Sequence, residues 1–300
     1  MTPDRSADRP VFIVGEARSG TSILYRTLQK HPSFRPREIQ LGETEIAANL
    51  RRAFLFGRGR PRPLAAFMLD DADAYRAFLR SIRVPRIVSA VTAPVNVWID
   101  RPPWWWRRVN LHHVVVRRYF LHARQARGCE RIVEKTPTNT ANLGLLRAAF
   151  PDARFLYIHR HPVDVFASYR RRASADPDAS WARIAPATFC SVYRASLLRA
   201  VAWRQQHENL AFVRYERFTA DPGPTFAGIC AFLEEPFDAE AVVERDPSYG
   251  RWRGDPHLWA EIVPATNVWT DHVTPEEAAS IQAALAEEMA VLGYEPYVGG

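Results

Sequence analysis

The sequence predicts an α/β fold: one domain with a central parallel sheet flanked by helices and enlarged by helical insertions. Three observations predict it. Short apolar runs of strand length recur along the chain, separated by segments with helical periodicity, as βαβ units require. The first of these runs passes through a glycine-bounded polar loop straight into an amphipathic helix. No linker is long enough to split the 300 residues.

The elements follow in order. Met1 to Arg9 is polar and mixed in charge, without the apolar core of a signal peptide, and is expected to be a disordered tail before a domain spanning 10–300. Val11–Val14 is the first strand. Gly20 to Lys30 is the first helix, with Ile23, Leu24, Thr27 and Leu28 on one face. Phe56 to Pro63 (FGRGRPRP) is a loop, and Asp70 to Arg83 is expected to be helical. Trp104 to Arg127 reads as a long helix closed by Gly128. Strands at Arg131–Val133, Phe155–His159 and Phe212–Tyr215 then alternate with helices at Ala141–Phe150, Val163–Arg172, Arg183–His207 and Thr225–Leu233. Asp246 to Pro264 is irregular. Thr274-Pro-Glu-Glu277 is a capping box with proline at the first helical position, opening a helix that runs to Leu292 and stops at Gly293.

Composition narrows the class. Apolar residues make up 47% and charged residues 24%, the balance of a soluble globular chain. No run approaches the roughly 18 apolar residues of a membrane span, so a cytoplasmic protein without integral membrane segments is expected. Cys129, Cys190 and Cys230 form no C-x-x-C pair, which argues against a disulfide framework or zinc site and for small buried side chains. Net charge is +7, and all the basic residues but Lys30 and Lys135 are arginine, a pattern that coding bias accounts for. The charge suits an anionic ligand. The basic residues are spread along the chain beside 33 acidic ones, so no nucleic-acid partner is expected.

The loop after the first strand, GEARSGTS, has the spacing of the phosphate loop G-x-x-x-x-G-K-[ST], with Gly15, Gly20 and Ser22 in place. Thr21 stands where the lysine belongs. That lysine grips the outer phosphates of a nucleoside triphosphate, so a kinase or nucleotide hydrolase loses its main electrostatic tool. The backbone and hydroxyls of Arg18, Ser19, Gly20, Thr21 and Ser22 still suit one 5′-phosphate, and Arg18 can neutralise a group attached to it. A second strand-to-helix turn follows at RFLYIHRHPVDVFASYRRR. It places Arg160 at the carboxyl end of a strand and Ser168 two turns into the next helix, where both can meet an anion.

Together these two elements resemble the sulfotransferases that use 3′-phosphoadenosine 5′-phosphosulfate (PAPS). In that family a P-R-S-G-T-T-like loop holds the 5′-phosphosulfate, and an arginine followed eight residues later by a serine holds the 3′-phosphate. Here those parts are Arg18-Ser-Gly-Thr-Ser22 and the pair Arg160 and Ser168, with Ala17 and Ser22 as mild departures. VEKTP at Val133–Pro137, FPDARF at Phe150–Phe155, VRYERFTADP at Val213–Pro222, WTDHVTPEE, and LGY at Leu292–Tyr294 extend the likeness from Val11 to Tyr294. It is weak in 46–128, where members diverge and an acceptor-binding insertion is expected.

The resemblance implies a phosphate-loop-like sulfotransferase fold, PAPS as co-substrate, no metal, and in-line transfer to a hydroxylated acceptor (a natural product, glycan or lipid). Lys135, at the end of the second strand, is implied to face the sulfuryl group, with a structural ion pair to Glu134 as the alternative. The base is implied to be a glutamate of LGETEIA, Leu41 to Ala47. Glu43 is favoured over Glu45, and His112 and His113 stand in reserve. The tryptophans of PPWWWRR, Pro102 to Arg108, and the arginines of 51–63 are candidates for acceptor contact, or for core packing and a solvated loop. A non-catalytic PAPS-binding relative is the remaining alternative.

Overall fold

The computed structural model describes residues 9–37, 43–44, 46–47, 112–243, 262 and 269–297. Four strands form one sheet: β1 (Val11–Gly15), β2 (Val133–Lys135), β3 (Arg154–His159) and β4 (Leu210–Arg214). Their order is β2-β1-β3-β4, and every neighbouring pair is parallel. β1 is buried along its whole length, which is why VFIVG is continuously apolar rather than alternating.

Successive β1 side chains point to opposite faces and meet different cores. Phe12 and Val14 pack with Phe155 and Tyr157 beneath α2 (His112–Arg127), α3 (Leu143–Ala149) and α5 (Pro186–Gln206). Val11 and Ile13 pack with Leu156 and Ile158 beneath α1 (Thr21–Lys30) and α7 (Pro222–Leu233). A third cluster joins α4 (Pro162–Ala175) and α5 to α9 (Pro275–Ala284) and α10 (Ala286–Leu292). The short helices α6 (Tyr215–Ala220) and α8 (Glu240–Val243) complete the order. Among the described residues no helix is long and apolar enough to cross a membrane. The three cysteines are buried and free.

Several boundaries depart from expectation. The second strand is Val133–Lys135, two residues later than the apolar run suggested. Arg131 lies before it and is buried, donating to the Arg9 carbonyl, and at 2.7 Å each to the Leu233 carbonyl and Glu235. The fourth strand ends at Arg214, and Tyr215 opens α6. The chain from Pro137 to Asn142 is a 3₁₀ turn before α3 rather than the start of one helix. The capping box at Thr274 forms with both reciprocal hydrogen bonds, but the helix it opens breaks at Leu285 into α9 and α10. The expected tail Met1 to Arg9 (except Arg9), the helix Asp70 to Arg83, Trp104–Arg108, the arginine-rich 51–63 and Glu45 lie outside the described residues.

Candidate active site

The site is built at the carboxyl edge of the sheet, where β1 sits between β2 and β3. β1 ends at Gly15, whose φ is +144; a Cβ there would lie 2.3 Å from the Ile158 carbonyl oxygen, so only glycine lets the loop leave beside β3. The loop returns at Gly20 (φ +98), where a Cβ would fall 2.3 Å from the Tyr215 ring. Tyr215 therefore lies against the amino end of α1. The same ring carries the Arg160 guanidinium 4.5 Å from its centre. A single tyrosine thus links the loop to the second cationic position.

Within the loop Arg18 adopts φ +70, and its Nε donates to Ser168 Oγ on α4 at 3.1 Å. Ser19 is fully buried, and its hydroxyl has no hydrogen-bond partner among the described residues. Thr21 is buried and Ser22 half-buried at the first turn of α1. Arg160 is 9% exposed, with its Nε 3.8 Å from Asp164 Oδ2 and without a hydrogen bond among the described residues. Asp164 Oδ2 also accepts from the Tyr297 hydroxyl at 2.8 Å. Burial pushes the Asp164 carboxyl up, and the Arg160 charge opposes that shift. Sequence spacing grouped Ser168 with Arg160; the structure places Ser168 on Arg18, and the Tyr215 ring connects Arg160 to the loop.

On the other side of β1, Lys135 Nζ lies 2.6 Å from Glu43 Oε1. Lys135 is buried, whereas the Glu43 side chain is 38% exposed. Lys135 thus pairs with Glu43 and not with Glu134, the other partner open to it. Glu134 points away and is fully enclosed by neutral donors. Its Oε1 accepts from the Thr44 amide at 3.3 Å, the Thr44 hydroxyl at 2.9 Å and the Thr136 hydroxyl, and its Oε2 from Asn139 Nδ2 at 3.1 Å. Burial pushes the Glu134 carboxyl up against those hydrogen bonds. Glu134 holds Thr44, and Thr44 brings the neighbouring Glu43 to Lys135. His113 is half-buried on α2.

Sequence reasoning missed Glu16, Tyr169 and Tyr215, and it weighed Glu134 only as an ion-pair partner of Lys135, not as the acceptor that holds Thr44. VEKTP and VRYERF contained two of them as motif letters, but only the positions next to Lys135 and at the end of β4 signalled that they matter. Among the described residues no group of three or more His, Cys, Asp or Glu is arranged to hold a metal ion.

The arrangement is a glycine-bounded loop entering a helix beside an ion pair whose ammonium is buried and whose carboxylate is partly exposed. No curated protein sequence matches the chain. The fold resembles the sulfotransferase domain of the Synechococcus PCC 7002 olefin synthase, with a TM-score of 0.61 at 20% identity over 96% of this chain and 95% of that one. It also resembles the sulfotransferase domain of the curacin biosynthetic pathway, with a TM-score of 0.53 at 16% identity over 96% of this chain and 99% of that one. The sulfotransferase STF9 from Mycobacterium avium gives a TM-score of 0.52 at 17% identity, over 96% of this chain and 77% of that one. The family model of the sulfotransferase family matches residues 10–239, more than half of the sequence, and the chain therefore belongs to the sulfotransferase family.

Proposed function

We propose that this sulfotransferase moves a sulfuryl group from PAPS to a hydroxyl of a small-molecule, lipid or glycan acceptor, with Glu43 as the base. The observation that carries the reading is the Lys135–Glu43 pair at the end of the strand beside the phosphate loop. Two buried polar atoms without a hydrogen bond among the described residues support a doubly phosphorylated donor. The Ser19 hydroxyl is in the loop assigned here to the 5′-phosphosulfate, and the Arg160 Nε belongs to the residue assigned here to the 3′-phosphate. Buried polar groups are nearly always satisfied, so each fits an anion oxygen.

PAPS supplies the sulfuryl group and leaves as 3′-phosphoadenosine 5′-phosphate (PAP). Thr21 in the lysine position leaves the loop amides and Arg18 to hold the 5′ end, with Ser168 steadying Arg18. Arg160, over Tyr215, meets the 3′-phosphate. Lys135 stabilises charge on the transferring group and keeps Glu43 oriented through Oε1. Glu43 Oε2, the oxygen other than the one that meets Lys135, takes the proton of the acceptor hydroxyl.

A thermal-shift titration tests the donor. PAP at 100 times its Kd should stabilise the protein by about 2.7 kcal/mol, and ATP, which lacks a 3′-phosphate, by much less. Arg160→Ala should abolish the difference between the two. Equal shifts with wild-type protein overturn the 3′-phosphate assignment. Mass spectrometry of reactions containing PAPS and a panel of hydroxylated acceptors then identifies the product.

A further inference from the structure

The phosphate loop and α4 are joined twice. Arg18 Nε donates to Ser168 Oγ at 3.1 Å, and the Tyr169 hydroxyl donates to Glu16 Oε1 at 2.6 Å. Two positions of the loop, 16 and 18, thus meet two successive positions of one helix. Glu16 is 6% exposed and Tyr169 5%, so their hydrogen bond is shielded from water. The Tyr169 ring is itself held edge-on by Trp181 at 5.7 Å and Phe189 at 6.0 Å, which leaves its hydroxyl one direction to point.

A carboxyl group is an unfavourable occupant for a loop that receives anions. Burial pushes Glu16 up, while the Tyr169 hydroxyl and the Ala17 amide hold it down. Its negative charge in turn reaches Tyr157 on β3 and Tyr193 on α5. Such a group needs a compensating role, and the geometry supplies one. Arg18, the loop end of the first link and two residues from Glu16, sits at φ +70, a left-handed conformation that a non-glycine residue keeps only where its surroundings determine it.

We propose that Glu16 and Tyr169 are positioning residues whose hydrogen bond clasps the loop to α4 and holds the Arg18 guanidinium on Ser168, facing the donor's 5′-phosphosulfate. The proposal rests on the donor site described above. It concerns neither contact with the substrate nor the reacting atoms. The clasp acts through Arg18.

Calorimetric binding of PAP to the full chain tests it. Glu16→Ala and Tyr169→Phe should each weaken PAP about tenfold, the scale of a coupled buried pair. Glu16→Gln keeps an acceptor for the tyrosine and drops the charge, and should stay within about threefold of wild type. In an Arg18→Ala background, Glu16→Ala should cost no further affinity, because the residue it positions is gone. A general loss of structure would not produce that pattern, and far-UV circular dichroism checks each variant. Tyr169→Phe removes a single oxygen and keeps the test available if Glu16→Ala does not fold. Full additivity with Arg18→Ala, or unchanged PAP affinity in Tyr169→Phe, overturns the clasp alone. Wild-type protein that does not bind PAP overturns the donor site and the clasp with it.

Discussion

Lys135 and Glu43 hold one another at 2.6 Å, and that pairing decides how their substitutions should behave. If Glu43 is the base, Glu43→Gln keeps its shape and loses its proton affinity. Turnover should fall by about 10²-fold or more, with PAP affinity unchanged in calorimetry. Lys135→Ala removes a cation and also frees Glu43, so the double variant should be no slower than the slower single one. Glu45→Gln should leave turnover near wild type. A reversed result, with the loss in Glu45→Gln, would move the base by two residues.

At the scale of elements, β2 places two adjacent charged side chains in opposite roles. Lys135 reaches the site, and Glu134 turns inward to bind the segment containing Thr44. The four donors around Glu134 make it the anchor of the segment that holds Glu43, the proposed base, rather than a participant. Glu134→Leu should strand those donors at a cost of roughly 1–3 kcal/mol for each one left unpaired. Urea unfolding should therefore show lower stability, and turnover should fall with it because Thr44 no longer fixes Glu43. Glu43→Gln, by contrast, should lose turnover and keep stability. A Glu134→Leu protein as active as wild type would show that Glu43 is positioned by something else.

At the scale of the whole molecule, the C-terminal segment closes over the ends of β3 and α4. His159 Nδ1 lies 3.0 Å from the Tyr294 hydroxyl, and the His161 ring stacks on Tyr297 at 3.8 Å. Burial, with a smaller push from Arg214, lowers His159 to about 4, and burial likewise lowers His161 to about 4. Both stay neutral in the folded protein while the unfolded chain charges them near pH 6.5. The stability they contribute is complete above pH 6.5 and is lost as pH falls towards 4. Glu16, Glu134 and Asp164, raised by burial, act with the opposite sign, favouring the folded state as pH falls. They are common to both proteins when wild type is compared with His159→Gln. The variant's unfolding free energy should then fall less steeply between pH 6.5 and 4, by up to about 1.4 kcal/mol per pH unit. Parallel curves in urea titrations across that range would exclude His159 as a titrating contributor.

The sequence alone determined the parallel α/β class, the phosphate loop between Gly15 and Gly20, the Arg160 position at a strand end, the burial of the cysteines and the capping box at Thr274. Each of these is written in a short window: a run of apolar residues, a glycine spacing, a cap and its reciprocal glutamate. Tertiary structure decided the rest. Arg131 sits inside an apolar-looking stretch, yet its guanidinium donates to the Arg9 and Leu233 carbonyls and to the Glu235 carboxylate, so the strand begins two residues later. Glu43 meets Lys135 across 92 residues, Arg18 meets Ser168 across 150, and Glu16 meets Tyr169 across 153. Tyr215 gains its place between Gly20 and Arg160 only because β4 ends beside β3. Propensity and periodicity act within a few residues, whereas these pairs form where separate strands end at one edge of a sheet. The sheet order that brings them together depends on side chains packing from distant parts of the chain.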